Sequence, residues 1–184
     1  LFIDVGAFTN LRFEHCYFDG KVNTYATSYV HGIGLNQVGT KTNIAVYDCD
    51  FTRMRSAVVQ DNATTSTVDT VIVDRCRFAE NIRNDLEFNA PNATMRNVSV
   101  LNSSFRDNAS ATFGFGVAFA HVTGGVVDNC DFKNYYHQAI HVEDYSTKID
   151  ITASNRLVRC GYGSGAGINV LSGSSEVSIE AKID

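Results

Sequence analysis

Two short segments carry most of the side chains that could move protons. Asn84-Asp85-Leu86-Glu87-Phe88-Asn89 and Ala139-Ile140-His141-Val142-Glu143 both alternate apolar and polar residues, the pattern of a half-buried strand. Alternation turns Leu86 and Phe88 inward and leaves Asp85, Glu87 and Asn89 on one exposed strip. His141 and Glu143 share a second strip. Two carboxyls in unlike surroundings can divide acid–base work: the less solvated one keeps its proton and acts as acid, and the other activates water. Inverting glycoside hydrolysis uses such a pair at ~6.5–9.5 Å.

Similar segments recur at Gly32–Asn36, Ala57–Gln60, Gly116–Phe119 and Gly167–Val170. Stacked as one sheet, their central outward residues are Gly34, Val58, Glu87, Ala118, His141 and Asn169. The small residues between the two acidic strands leave a shallow trough. Rungs two apart lie about 10 Å from each other at the backbone, so side chains leaning inward bring Glu87 and Glu143 toward the hydrolase separation. Asp85 and Glu87, ~6.6 Å apart along one strand face, form a second candidate pair. The candidate catalytic residues are therefore Glu87, Glu143 and Asp85. Candidate substrate-binding residues are His141, Asn89 and Asn169 on the strands, with Arg83, Tyr136 and His137 in the flanking loops. Tyr135 and Tyr136 fall in a loop where a sugar ring could stack. His121, His137 and His141 offer no evident third ligand on one face, so we expect neither metal nor other cofactor.

The elements that hold these residues follow from an internal repeat. Cys16-Tyr17-Phe18, Cys49-Asp50-Phe51, Cys76-Arg77-Phe78, Ser103-Ser104-Phe105 and Cys130-Asp131-Phe132 align, with intervals of 33, 27, 27 and 27 between the Phe residues. Seven and five residues before each Phe lies an apolar pair, from Leu11/Phe13 to Gly125/Val127, broken only by Gly125. These pairs are out of phase with the Cys-x-Phe positions, so the chain must turn between them, at Asp48, Arg75, Asn102 and Asn129. Asn and Asp tolerate a left-handed backbone. Three short strands per repeat, none able to bury its apolar side alone, predict an all-β chain folded as a right-handed parallel β-helix of about six rungs of roughly 27 residues. A sandwich would need hairpin turns at regular spacing, and the single Asp-Gly, Asp19-Gly20, precedes a polar loop.

The same alignment decides the cysteines. Four of the five occupy one repeat position, where Ser103 substitutes, so they form a column of small buried residues and are expected to be reduced. Spacings of 27 match no zinc pattern. The column Phe18, Phe51, Phe78, Phe105 and Phe132 is core. Five Asn-x-Ser/Thr triplets, at Asn62, Asn92, Asn97, Asn102 and Asn108, are attributed to turn chemistry rather than glycosylation.

Composition sets outer limits. The 184 residues suffice for one domain, and we take 1–184 as one β-helix domain cut from a longer chain. The net charge of −5, without a Lys/Arg run, argues against nucleic-acid binding. No apolar run has the length of a membrane span.

With these residues laid out, the chain resembles the right-handed β-helix of the pectate-lyase superfamily, and within it bacteriophage tailspike polysaccharide depolymerases. The resemblance covers most of residues 68–175. It rests on Asn84–Asn89, Gly114-Phe115-Gly116-Val117-Ala118 and Gln138–Glu143 in consecutive rungs. It implies binding and cleavage of bacterial capsular or exopolysaccharide, a homotrimer in the parent protein, and a place on the virion tail acting outside the host cell, or otherwise secretion. Only Asp85, Glu87, His141 and Glu143 carry over as site residues. The Asp-Asp and Gly-His-Gly signatures of polygalacturonases and the calcium-binding acids of pectate lyases are absent, which turns the expectation away from pectin. Two alternatives stand beside hydrolysis: a β-helix that only binds carbohydrate or a receptor, and a lyase or epimerase acting on uronates with Arg83, His137 and His141.

Overall fold

The computed structural model describes residues 3–21, 30–61, 66–91, 94–108, 114–171 and 173–184. Among them the chain forms twenty-one strands and no helix. Every third strand returns to the same sheet, giving three parallel sheets of seven strands each. This is the expected parallel β-helix of about six turns. The first sheet contains Leu86–Asn89, Val117–Ala120 and Ile140–Glu143; the second contains the long strands such as Thr94–Leu101; the third contains those carrying the Phe column.

In-register stacking explains the repeat. Phe18, Phe51, Phe78, Phe105 and Phe132 pair in sequence along the third sheet. Their rings are nearly parallel, with centroids 4.7, 5.3, 4.7 and 4.5 Å apart. Each rung covers the next rung's aromatic face, and the burial of those faces drives the stacking. On the second sheet the columns Leu11–Ile44–Val71–Val98–Gly125 and Phe13–Val46–Val73–Val100–Val127 run through the core. Gly125 breaks the apolar rule because its place is filled: a Cβ there would lie 2.8 Å from Ile149 Cδ1 and 3.3 Å from Phe119 Cε1.

The turn between the second and third sheets falls where expected. Asp48, Arg75, Asn102 and Asn129 have φ of 51°, 54°, 49° and 51°. Side-chain ladders hold the corner. Arg75 donates to both carboxylate oxygens of Asp48 at 2.8 Å, and Asn129 Nδ2 donates to Asn102 Oδ1 at 2.8 Å. Two further left-handed columns were not foreseen: Asn10, Asn43, Thr70, Asn97 and Lys148 inside the second sheet, and Arg53, Glu80, Asp107, Asn134 and Arg159 at or just past the ends of the third-sheet strands. The cysteines are all free, and Cys49, Cys76, Ser103 and Cys130 stack as a buried column. Of the five triplets, Asn62 and Asn92 lie outside the described residues. Asn97 and Asn102 donate to Asp69 and Asp74, and Asn108 is fully buried with its amide on Arg83 O.

Candidate functional site

The outer face of the first sheet carries the column Gly34–Val59–Glu87–Ala118–His141–Asn169. The expected column stands except at its second member. Val58 points into the core between Ile33 and Leu86, and Val59 takes the outer place. The run Ala57-Val58-Val59 has no alternation to fix its phase, so sequence parity left the strand one residue out of register. A parallel outer column runs Asn89–Ala120–Glu143.

Glu87 and His141 thus sit two rungs apart with only Ala118 between them, and Asn89 and Glu143 are separated likewise by Ala120. These residues do not form an open, solvated strip, however. Glu87 is 5% exposed and His141 6%. Each is packed into a polar pair. Arg83 Nη2 donates to Glu87 Oε1 at 3.0 Å, and His141 Nε2 lies 3.1 Å from Glu143 Oε2. The Phe115 ring lies flat on the His141 imidazole, with centroids 4.2 Å apart and planes within 2°. Glu143 is the most accessible of the four, with 32% of its side chain exposed.

Asp85 does not join this face. It precedes the strand, its carbonyl accepting from Ala57 N and its N–H donating to Phe115 O, both at 2.9 Å, and the register carried one residue back puts it in the column Gly32, Ala57, Asp85, Gly116, Ala139, Gly167. At Gly32 and Gly116 a Cβ would strike a Phe ring of the third sheet within 3 Å, so this column points toward the core corner. Asp85 is 1% exposed. Its carboxyl accepts a hydrogen bond from Asn81 Nδ2 at 2.6 Å and another from the Tyr135 hydroxyl. Burial pushes the Asp85 carboxyl up to about 7, with the two hydrogen bonds opposing. The outward orientation expected from alternation is therefore corrected: strand parity does not extend across the corner at which this strand begins.

Tyr135 is also relocated. The third-sheet strand Asp131–Tyr135 is, like Ser104–Asn108 before it, longer than the three-residue strands of the first rungs, and it carries Tyr135 inward to a fully buried position beside Asp85. Tyr136 remains at the surface side of that loop, edge-on to both His137 and Tyr162 at 5.3 Å. Its ring is backed by the Gly163 backbone, where a Cβ would come within 2.2 Å of the ring. His137 stands edge-on to Phe115 at 6.1 Å. Gln138, next to it, donates to Ser164 Oγ at 2.9 Å. Asn169 flanks His141 on the following strand, and Asn89 flanks Glu87 on the same one.

The structure thus brings together Arg83, Glu87, His141 and Glu143, with Phe115, His137 and Tyr136 alongside, and sets Asp85 below them. Sequence reading passed over the contact of Phe115 with His141, although Phe115 opens the small-residue segment between the acidic ones. Among the described residues, Glu14, His15 and Asp48 form a group whose ligand atoms are close enough to share a cation. Glu14 is committed to Arg12 and Asp48 to Arg75, away from this face. Two concavities of about 350 and 270 Å³ lie along the second sheet, the larger around Asn43 and Tyr47 and the smaller around Ser99 and Gly124.

The architecture defines the class: a three-sided parallel β-helix, compatible with the pectate-lyase-like arrangement. No protein-family model and no curated protein matches the chain.

Proposed function

We propose that this chain binds bacterial capsular or exopolysaccharide and cleaves it by glycoside hydrolysis on the outer face of the first sheet. The observation that carries the reading is the pair of charged couples, Arg83–Glu87 and His141–Glu143, set two rungs apart across Ala118 and Ala120. Carboxyls two rungs apart across Ala118 and Ala120 start about 10 Å from each other at the backbone, a spacing from which side chains can lean to the separation that inverting hydrolysis uses. Ladder hydrogen bonds and buried neighbours hold both strands, so the groups are mounted rigidly. Tyr136 and Phe115 supply aromatic surface beside the floor, and Asn89 and Asn169 supply amides for hydroxyls. The setting that goes with this reading is a phage tailspike, a homotrimer acting outside the host cell.

The test is release of reducing ends when the protein is incubated with capsule or exopolysaccharide. Binding without new reducing ends would favour the recognition-module alternative. A second reading draws on one observation, that this face carries an imidazole, His141, and two rungs away a guanidinium, Arg83: a lyase needs a base and a cation for the uronate carboxylate. Products absorbing in the ultraviolet, from the new double bond, would select it over hydrolysis.

A further inference from the structure

We propose, resting on the hydrolytic reading above, that the two couples have fixed and different roles. His141–Glu143 is the acid that protonates the departing glycosidic oxygen, and Glu87 is the base that takes a proton from water. The assignment follows from the partners rather than from the carboxyls. A guanidinium does not give up its proton in a protein. The Arg83–Glu87 couple, joined at 3.0 Å, therefore keeps its two charges, and Glu87 stays an ionised acceptor. An imidazole does exchange its proton near neutrality. His141 Nε2 lies 3.1 Å from Glu143 Oε2, so a proton on the ring has a direct path to that carboxyl.

Local packing fits that division. The Phe115 ring lies flat on the His141 imidazole, whereas Glu143 is 32% exposed. Glu143 is therefore the catalytic residue that meets the substrate, and His141 is a positioning residue that supplies its proton. The flanking strands put Ala118 and Asn169 beside the imidazole, neither of which carries charge. His137 stands edge-on to the Phe115 ring that covers the imidazole, and the Arg83–Glu87 couple lies two rungs away. In the step, the glycosidic C–O bond breaks with its electron pair on the leaving oxygen, which takes the proton from the couple. Water oxygen bonds to the anomeric carbon as its proton passes to Glu87. Glu87 then returns that proton to solvent, and the couple takes one up.

Leaving-group dependence separates the two roles. The variants Glu143→Gln, His141→Gln and Glu87→Gln are compared on the natural polysaccharide and on a 4-nitrophenyl glycoside of the sugar at the cleaved linkage. The nitrophenolate departs without a proton. Loss of the acid should therefore lower kcat on the polysaccharide by about 10²-fold or more, yet leave the aryl glycoside within about threefold. Glu87→Gln should depress both. Equal losses on both substrates in Glu143→Gln, or a loss confined to the polysaccharide in Glu87→Gln, would overturn the assignment. Melting temperature screens for misfolding, and Glu143→Gln, the most exposed of the sites, carries the test if His141→Gln does not fold. Nitrogen NMR of His141 gives an arm independent of turnover. At alkaline pH the ring should be the Nε2–H tautomer in the wild type and lose that preference in Glu143→Gln; an unchanged spectrum would overturn the couple. A wild type that cleaves no polysaccharide would instead sink the hydrolytic reading, and the roles with it, while the tautomer result still judges the couple.

Discussion

Asp85 shows most plainly how one side chain's surroundings change its meaning. Its carboxyl is enclosed in the core corner with Tyr135 and Asn81 as donors. A folded-state value of about 7, against about 4 in an unfolded chain, means the fold prefers the protonated form. The sign follows: below about pH 4 the group costs nothing, the penalty grows as pH rises to 7, and it is constant above that. We predict that urea unfolding of the wild type shows stability falling by up to a few kcal/mol across pH 4–7, and that Asp85→Asn removes that part of the slope. The same slope in both proteins would contradict the burial described. Tyr135→Phe should destabilise by about 1–3 kcal/mol, because it strips a donor from a buried acceptor. The signal for this cluster was available in the sequence, since Asp85 aligns with Gly32, Gly116 and Gly167 once the rungs are in register. Alternation within the one segment concealed it.

Glu87 teaches the opposite lesson at the same scale. Parity placed it on the outer face correctly, but an outer position on this sheet is not a solvated one. Its exchange for Gln loses the pairing with Arg83 and is expected to cost about 1–3 kcal/mol, more than a surface change. Thermal melting of Glu87→Gln beside Glu143→Gln should show the larger drop for Glu87.

At the scale of elements, what the sequence made legible were the columns. Identical residues at one repeat position stack directly, so Phe, Cys and Val columns announce their own sheets. The left-handed columns within the second sheet and at the strand ends of the third were illegible because Thr70, Lys148, Glu80 and Arg159 are not residues that favour that conformation; stacking imposes it on them. The recognised corner offers a clean test. Asn102 has φ 49° and its amide bonds to Asp74. Both Asn102→Gly and Asn102→Val lose that bond, so the difference between them isolates the backbone. Val should be the less stable by about 1–2 kcal/mol. Equal melting temperatures would mean that the corner can relax. The slip of the strand Ser56–Asp61 by one residue has a plain cause as well, an apolar run that fits either phase.

At the scale of the whole molecule, the three-sided stack accounts for stability without cross-links. Five thiols are spread along it, and burial lifts Cys130 to about 12 and Cys160 to about 11. Thiolate is the reactive form, so Cys130 and Cys160 should react slowly with alkylating reagents near neutrality. Denatured, unreduced protein should titrate five thiols; three or one would reveal disulfides and break the column described. The same continuity gives the outer face of the first sheet its rigidity, since the strands that carry Glu87, His141 and Glu143 each have a rung on both sides. The proposal that this face cleaves polysaccharide is tested most directly by one kinetic comparison. Reducing ends released from the natural polysaccharide are measured for wild type and Glu143→Gln at matched melting temperature. The account predicts turnover by the wild type and a loss of about 10²-fold or more in the variant; full activity in Glu143→Gln would move the chemistry away from this face.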